Sequence, residues 1–219
     1  MKLVNTKLML KKHYSYAEID EFLEGKLGEA GYAGMEMEKL PLGYRLNVMV
    51  MKPGLVIGRK GLGIRELTDT LSSKFKLENL SINVVEVPNP DLNPRIVASR
   101  IASMAQRGMA FRRAVLVSLS NVMKAGAMGC EIVVRGKLRS ERAHFEKHTQ
   151  GVVPKSGHLR EVAVASAVTH VLLKMGLYGV QVRIAYREAV PPDYELIEAR
   201  EGQVAPEAPK VEVAGNANP

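Results

Sequence analysis

The chain has 219 residues, enough for one or two domains with buried cores, and its 46% apolar and 25% charged residues are ordinary for a soluble globular protein. The formal net charge of +8 favours a polyanionic partner. We do not expect a membrane or secreted protein, because the longest apolar runs are far shorter than the ~20 residues of a membrane helix and the first residues lack a cleavage signal. The single cysteine excludes an internal disulfide, which fits the cytoplasm.

The first part of the chain predicts a helix, two strands, two helical segments and a third strand. Apolar residues at helical spacing predict a helix over residues 16–31, with Ser15 as its candidate N-cap. Alternating apolar residues predict strands over residues 34–40, 44–50 and 80–87. Between the second and third strands, one helical segment runs into Gly58 and another extends from about residue 62 to Lys76.

A proline-rich segment separates this part from the rest. Residues 88–94, PNPDLNP, contain three prolines, which interrupt both helix and sheet. The elements expected beyond it are a helix from Pro94, a helix over residues 112–125, a strand through Cys130, Ile132 and Val134, a basic stretch over residues 135–160, a helix through Val164, Val168, Val171, Leu172 and Met175, and a strand over residues 180–186.

The C-terminal tail differs from the body in charge. From Val190 onward six acidic residues outnumber two basic ones, so the tail carries −4 and residues 1–189 carry +12. Because few apolar residues follow Pro191 and Pro192, we expect an acidic, Pro-rich, disordered tail.

Copies of the pattern G-x-x-G start at Gly25, Gly31, Gly58, Gly126 and Gly176, among other places. Three copies, GYAG, GAMG and GLYG, are interpreted as turns from a helix to a strand, in which the first glycine is the left-handed C-cap. The copy GKLG lies within a predicted helix. Only VIGRKG, residues 56–61, has two cations between its glycines and joins two helical segments.

The loop of VIGRKG suits a phosphate group. Glycines let backbone N–H groups approach an anion closely, and the dipole of the following helix favours negative charge. We therefore predict that Gly58, Arg59, Lys60 and Gly61 bind a nucleic-acid backbone. Nucleotide-binding motifs fail on spacing: no P-loop fits, and a dinucleotide motif started at Gly61 meets Glu66 where its last glycine should be.

With its flanking elements, this loop resembles the RNA-clamping loop of a KH domain, which holds about four nucleotides by their backbone. The extra helix and strand before the core resemble the type II arrangement. Four segments, PGLVIGRKGLGIREL, NPRIVASRIASMAQRGMAFRRAV, MKAGAMGCEIVVRGKLRSERA and GLYGVQVRI, extend the resemblance over residues 15–188 to the universal KH-containing ribosomal protein of the small subunit, the ribosomal protein S three family. GKLRSERAHFEKHTQG is more similar to its archaeal and eukaryotic branch.

The expected fold class is α+β, a type II KH domain followed by a second α/β sandwich-like domain. The expected boundaries are an N-terminal extension (1–14), the KH domain (15–88), a linker (89–93), the C-terminal domain (94–188) and the acidic tail (189–219).

The resemblance implies a structural protein of the small-subunit head in the cytoplasmic ribosome. Its expected partners are small-subunit ribosomal RNA, mRNA at the channel through which it enters, and neighbouring head proteins. In the family, an arginine pair after an aromatic residue lines that channel and helps to unwind mRNA. Here the pair is Arg112 and Arg113 after Phe111, whereas Leu116 occupies the position at which bacterial members have a lysine.

The basic stretch supplies further candidates for RNA binding. Between residues 135 and 160 seven cations stand against two acids, which favours a surface buried against ribosomal RNA over a solvated loop. The candidates near the preceding strand are Arg135, Lys137, Arg139 and Arg142.

Two other functions have weaker support from the sequence. A free KH-type regulator that is not part of the ribosome would use the same loop, but it would need little of the basic stretch. An enzyme acting on nucleic acid is not expected, because no nucleophile and base stand in a recognisable constellation. We expect no cofactor and no metal: His144 and His148 lie four residues apart, but Cys130 is expected to be a small buried hydrophobe and cannot complete a zinc site.

Overall fold

The computed structural model describes residues 2–41, 43–77, 79–138 and 140–187. Its helices are α1 (Lys2–Leu27), α2 (Pro53–Ile57), α3 (Leu62–Phe75), α4 (Pro94–Gln106), α5 (Phe111–Lys124) and α6 (His158–Ala163). Its strands are β1 (Tyr32–Leu40), β2 (Gly43–Val50), β3 (Leu80–Glu86), β4 (Gly129–Gly136), β5 (His144–Gly151), β6 (Val164–Leu173) and β7 (Gly176–Ala185). Arg139 and the acidic tail, about which we made predictions above, lie outside the described residues.

The first sheet has the order β1-β2-β3 and is covered by α1 and α3. Strand β2 pairs antiparallel with β1 and parallel with β3, because α2 and α3 carry the chain back across the sheet between β2 and β3. The core is fully apolar where Ile19 and Leu23 of α1 meet Leu46, Val48 and Leu71. The predicted order of helix, two strands, two helices and strand is confirmed.

The second sheet has the order β5-β4-β7-β6, with every neighbouring pair antiparallel. Helices α4 and α5 cover one face of it, where Ile101, Val115, Ile132 and Val182 are buried in a single cluster. Asn93 caps α4 as its side-chain oxygen accepts hydrogen bonds from the first backbone N–H groups, and Pro94 fills the first helical position. This two-layer arrangement confirms the predicted α+β class.

The helix predicted through Val164, Val168 and Met175 is wrong. These residues belong to β6 and to the hairpin that joins it to β7. Spacings of three and four suggested a helix, yet VASAVTHVLL is also rich in β-branched residues, and β7 supplies a complete partner for its backbone. Consequently Gly176 (φ +129°) turns a hairpin instead of capping a helix, whereas Gly31 and Gly126 have positive φ after helical segments as predicted.

Two other elements differ from the sequence prediction. Helix α1 begins at Lys2, so Ser15 lies inside the helix and is not its N-cap. Strand β5 lies within the basic stretch, where charged residues hid the alternation of a strand; it is fixed by pairing with β4. None of the described helices combines the length and apolar character needed to cross a bilayer.

A charged contact joins the two α/β units. The guanidinium of Arg95 on α4 donates hydrogen bonds to both carboxylate oxygens of Asp20 on α1, at 2.9 and 2.8 Å, and the Tyr32 hydroxyl donates to Asp20 at 2.6 Å. Arg95 also lies over the Tyr32 ring, 5.8 Å from its centroid. The hydrogen bonds from Arg95 hold the pKa of Asp20 below its usual value, although partial burial opposes them.

Candidate nucleic-acid interface

The loop between α2 and α3 is a tight turn that presents two cations. Helix α2 ends at Ile57, Gly58 has φ +68°, and a 3₁₀ turn over Arg59–Gly61 leads directly into α3. The side chains of Arg59 and Lys60 are both exposed. Gly61, with φ +76°, occupies the left-handed region that favours glycine, so the requirement for glycine there is conformational, since a Cβ would meet no neighbouring atom. The predicted loop between two helical segments is therefore confirmed.

Lys60 adopts a backbone conformation that is unfavourable for its type. Its φ of 55° lies in the left-handed region, which costs an L-residue with a Cβ roughly 1 kcal/mol or more. Such strain is found preferentially at functional sites, where a side chain is held in a defined direction. The conformation turns Lys60 outward beside Arg59.

Gly63 is a residue of this loop that the sequence analysis did not single out. A Cβ at Gly63 would lie 2.5 Å from the carbonyl oxygen of Val56 and 3.2 Å from that of Ile57. The absence of a side chain therefore lets the first turn of α3 lie directly against the end of α2. The signal in the sequence was the third glycine of GRKGLG, which a G-x-x-G pattern does not include.

The start of α3 carries no side-chain cap, and the helix dipole favours an anion there. The N–H group of Leu62 donates to the carbonyl oxygen of Arg59, and no side-chain oxygen covers the helix end. Val56 is buried and anchors the loop, whereas Leu55, Ile57 and Leu62 around it are 61%, 39% and 56% exposed. Apolar side chains next to cations and a helix N-terminus suit a nucleic-acid strand, which offers both phosphates and flat bases.

The second candidate group lies on α5, in the other α/β unit. Arg112 and Arg113 are exposed in the first turn, one turn before the exposed Leu116 (48%) and Val117 (44%) on the same face of the helix. Leu116, the position of the bacterial lysine, thus points into solvent beside the arginine pair. A groove of about 590 Å³, lined in part by Met109, Phe111, Leu138 and Leu173, lies next to Arg112.

Tyr178 ties the start of α5 to the beginning of the basic stretch. Its ring lies 4.9 Å from the ring of Phe111, centroid to centroid, and its hydroxyl donates a hydrogen bond of 2.6 Å to the carbonyl oxygen of Lys137. Gly136 makes this possible, because a Cβ there would overlap the Tyr178 ring. Phe111 therefore fixes the arginine pair relative to Lys137 by packing.

The predicted residues of the basic stretch are exposed but dispersed. Arg135 lies at the end of β4 on the sheet face opposite α4 and α5, where it pairs with Phe145 of β5. Lys137 and Arg142 are exposed in the connection between β4 and β5, and Arg139 lies outside the described residues. Phe145, which the sequence analysis missed, is 69% exposed opposite Arg135, and exposed aromatic rings beside cations can stack on bases.

Cys130 confirms the prediction of a small buried hydrophobe. It is fully buried in the core between the second sheet and its helices, and burial raises the pKa of its thiol to about 12. Within the described ranges, no group of three His, Cys, Asp or Glu side chains is arranged to hold a metal ion.

The fold and the loop define a KH-domain protein with a second α/β unit. A KH domain model matches residues 18–92, and a model of the ribosomal protein S3 C-terminal domain matches residues 101–184.

Relatives extend this similarity over most of the chain, and they are mostly archaeal. The small ribosomal subunit protein uS3 of Thermofilum pendens is 47% identical over 189 residues, which cover 86% of this chain and 93% of the relative. The uS3 proteins of Staphylothermus marinus and Pyrobaculum aerophilum are 46% and 43% identical, covering 83% and 82% of this chain and 81% and 84% of their own lengths. The chain belongs to the family of small ribosomal subunit protein uS3.

Proposed function

We propose that this chain is a structural, non-catalytic component of the small ribosomal subunit in the cytoplasm, where it binds ribosomal RNA and lines the channel through which mRNA enters. The observation that carries the proposal is the exposed Arg59–Lys60 turn between α2 and α3, in a chain of the uS3 family. Neighbouring proteins of the subunit head are its further partners. The proposed division is a KH domain over residues 15–88 and a C-terminal domain over residues 94–188.

The KH loop would hold RNA by its backbone. Arg59 and Lys60 supply charge, the glycines allow close approach, and backbone N–H groups at the start of α3, which no side chain caps, would donate to a phosphate oxygen. None of these contacts reads a base edge, so this loop fixes the position of a strand without selecting its sequence.

The arginine pair would contact mRNA in the same way. Two guanidinium groups on one exposed helix turn can each bind a phosphate in a bidentate manner, which a lysine cannot do. The exposed Leu116 next to them adds no charge, so their role here is to grip the strand, with only two of the three cations of the bacterial pattern.

A free KH-type regulator remains the alternative function. It would bind RNA through the same turn, but it would not also need exposed cations on α5 and at the end of β4. The wide distribution of Arg112, Arg113 and Arg135 over the second unit favours an assembled particle.

The test compares RNA binding by the wild-type chain and by the double variant Arg59→Asp/Lys60→Asp. Because each lost charge-assisted contact is worth about 1.5 kcal/mol, we expect affinity for small-subunit ribosomal RNA to fall at least tenfold, with an unchanged melting temperature. The matched control is Lys124→Asp/Lys174→Asp, which reverses two exposed cations elsewhere. Equal losses of affinity in both variants, or joint loss of fold and binding, would refute the assignment of this loop.

A further inference from the structure

A buried carboxylate lies on the face of the second sheet that α4 and α5 do not cover. The side chain of Glu131 on β4 is only 2% exposed. The Lys147 ammonium of β5 lies 2.8 Å from one of its oxygens, and the Arg183 guanidinium of β7 donates a hydrogen bond of 3.0 Å to the other. Lys155, in the segment after β5, lies 3.8 Å from the first oxygen.

The carboxylate stays charged and organises the cations around it. Burial by itself raises the pKa of Glu131, but the nearby charges of Lys147, Arg183 and Lys155 outweigh burial and lower it. With Arg160 on α6 this cluster contains four cations and one carboxylate, a formal charge of +3. The excess positive charge has no partner among the described acidic residues.

The cations open into a cavity. A pocket of about 310 Å³ lies over this end of the sheet, between Lys155 and Arg160 on one side and Ser166, Gln181 and Arg183 on the other. Its walls include Val153 and Pro154, which follow a close crossing of the chain: a Cβ at Gly129 would overlap the backbone of Val152. Only glycine at position 129 lets this segment lie over the sheet and bring Lys155 to the pocket.

We propose that this pocket binds a phosphate group, with Lys155, Arg160 and Arg183 as its cationic ligands and Ser166 and Gln181 as its uncharged donors. Three cations and two neutral donors around a cavity of this size match the oxyanions of one or two phosphates. Lys155 is 65% exposed, and its ammonium is the farthest from Glu131 among the three cations that pair with this carboxylate, so it can turn toward an incoming anion without breaking the closer pairs of Lys147 and Arg183.

The phosphate source is the ribosomal RNA backbone, a conclusion that rests on the proposed function. Helices α4 and α5, with Arg112 and Arg113, lie on one face of the second sheet, and the pocket lies on the other. Because the sheet lies between the arginine pair and the pocket, the two sites would contact different RNA segments. The second unit is therefore inserted between two RNA segments.

The experiment measures how binding of a labelled small-subunit ribosomal RNA transcript depends on salt concentration, for the full chain and for Lys155→Ala/Arg160→Ala. Loss of two phosphate contacts lowers the slope of log affinity against log salt by about 1.4 to 1.8. The matched control, Lys124→Ala/Lys174→Ala, also removes two exposed cations and should keep a slope close to that of the wild type. A parallel titration with inorganic tripolyphosphate, followed by melting temperature, tests a free phosphate as the source.

The outcomes separate this proposal from the proposed function. If the slope of log RNA affinity against log salt falls in the pocket variant and not in the control, RNA binds at the pocket. If that slope is unchanged but the pocket variant loses the rise in melting temperature caused by tripolyphosphate, the pocket binds a free phosphate instead. If both readouts match those of the control variant, the pocket is not a phosphate site. A wild-type chain that fails to bind the transcript contradicts the proposed function itself, and Arg59→Asp/Lys60→Asp serves as the positive control for a weakened RNA site.

Discussion

At the scale of single residues, the conformation of the loop between α2 and α3 depends on two glycines, because neither position could hold a side chain without strain or overlap. Gly61 provides a left-handed backbone, and Gly63 provides space, since Val56 and Ile57 place their carbonyl oxygens where a side chain would be. Arg59 and Lys60 can be exposed only because these two positions make the turn tight. The charge that we propose binds RNA and the space that shapes the turn are thus supplied by different residues.

We expect Gly63→Ala to destabilise the chain by about 1–3 kcal/mol, the usual range for an overpacked site, and to weaken RNA binding because α2 and α3 must separate. The matched control is Gly25→Ala. Gly25 lies inside α1 with open space around it, so alanine there should stabilise the chain by about 0.5–1 kcal/mol. Urea unfolding of both variants measures the difference, and equal stabilities would contradict the close approach at Gly63.

At the scale of elements, the sequence predicted well wherever one periodicity dominated. The order of elements in the KH unit and the turn at Gly58 followed from apolar spacing and from glycine and proline. The segment over β6 could be interpreted either as a helix or as a strand, and only the pairing with β7 decides between them. Strand β5 carries charges on both faces, so it lacks the alternation that would have revealed it.

The residues of the candidate sites also differ in how far the sequence could predict them. Residues in one short segment, such as Arg59 and Lys60, could be identified from sequence because their neighbours define their environment. The cation cluster around Glu131 could not, because Lys147, Lys155 and Arg183 contact this carboxylate from separate parts of the chain. Only the order β5-β4-β7-β6 brings them together.

The contact between Asp20 and Arg95 should make the joint between the two units sensitive to acid. The pKa of Asp20 is lowered in the fold, so its stabilising contribution is present above the unfolded value of about 3.9 and is lost as pH falls through the lower folded value. We expect Asp20→Asn to cost about 1 kcal/mol at pH 7, since the pair is partly exposed, while the amide oxygen still accepts from Tyr32.

Urea unfolding across a pH series measures this effect. The difference in free energy of unfolding between the wild type and Asp20→Asn should be constant from neutral pH down to about pH 4 and should disappear only below it. Asp69→Asn, a change of an exposed carboxylate on α3, serves as the control. A difference between wild type and Asp20→Asn that persists far below pH 4 would show that the charge of Asp20 is not what holds Arg95.

At the scale of the whole molecule, the candidate RNA-binding groups are distributed over two cores. The KH loop belongs to the first unit, the arginine pair to one face of the second, and the phosphate pocket to the other face of the same sheet. Each contact alone is a salt-sensitive interaction of modest strength. Several contacts fixed on one rigid scaffold bind far more strongly together, because binding at one site holds the others close to their RNA segments.

The most direct test of this account is sedimentation of the tagged chain from a lysate of its own cells through a density gradient at high salt. We predict that the chain moves with small subunits and stays with them as the salt concentration is raised, since several buried phosphate contacts must dissociate at once. Migration as a free protein, or release from the subunit at the first increase in salt, would contradict a built-in ribosomal role and favour a free KH-type regulator.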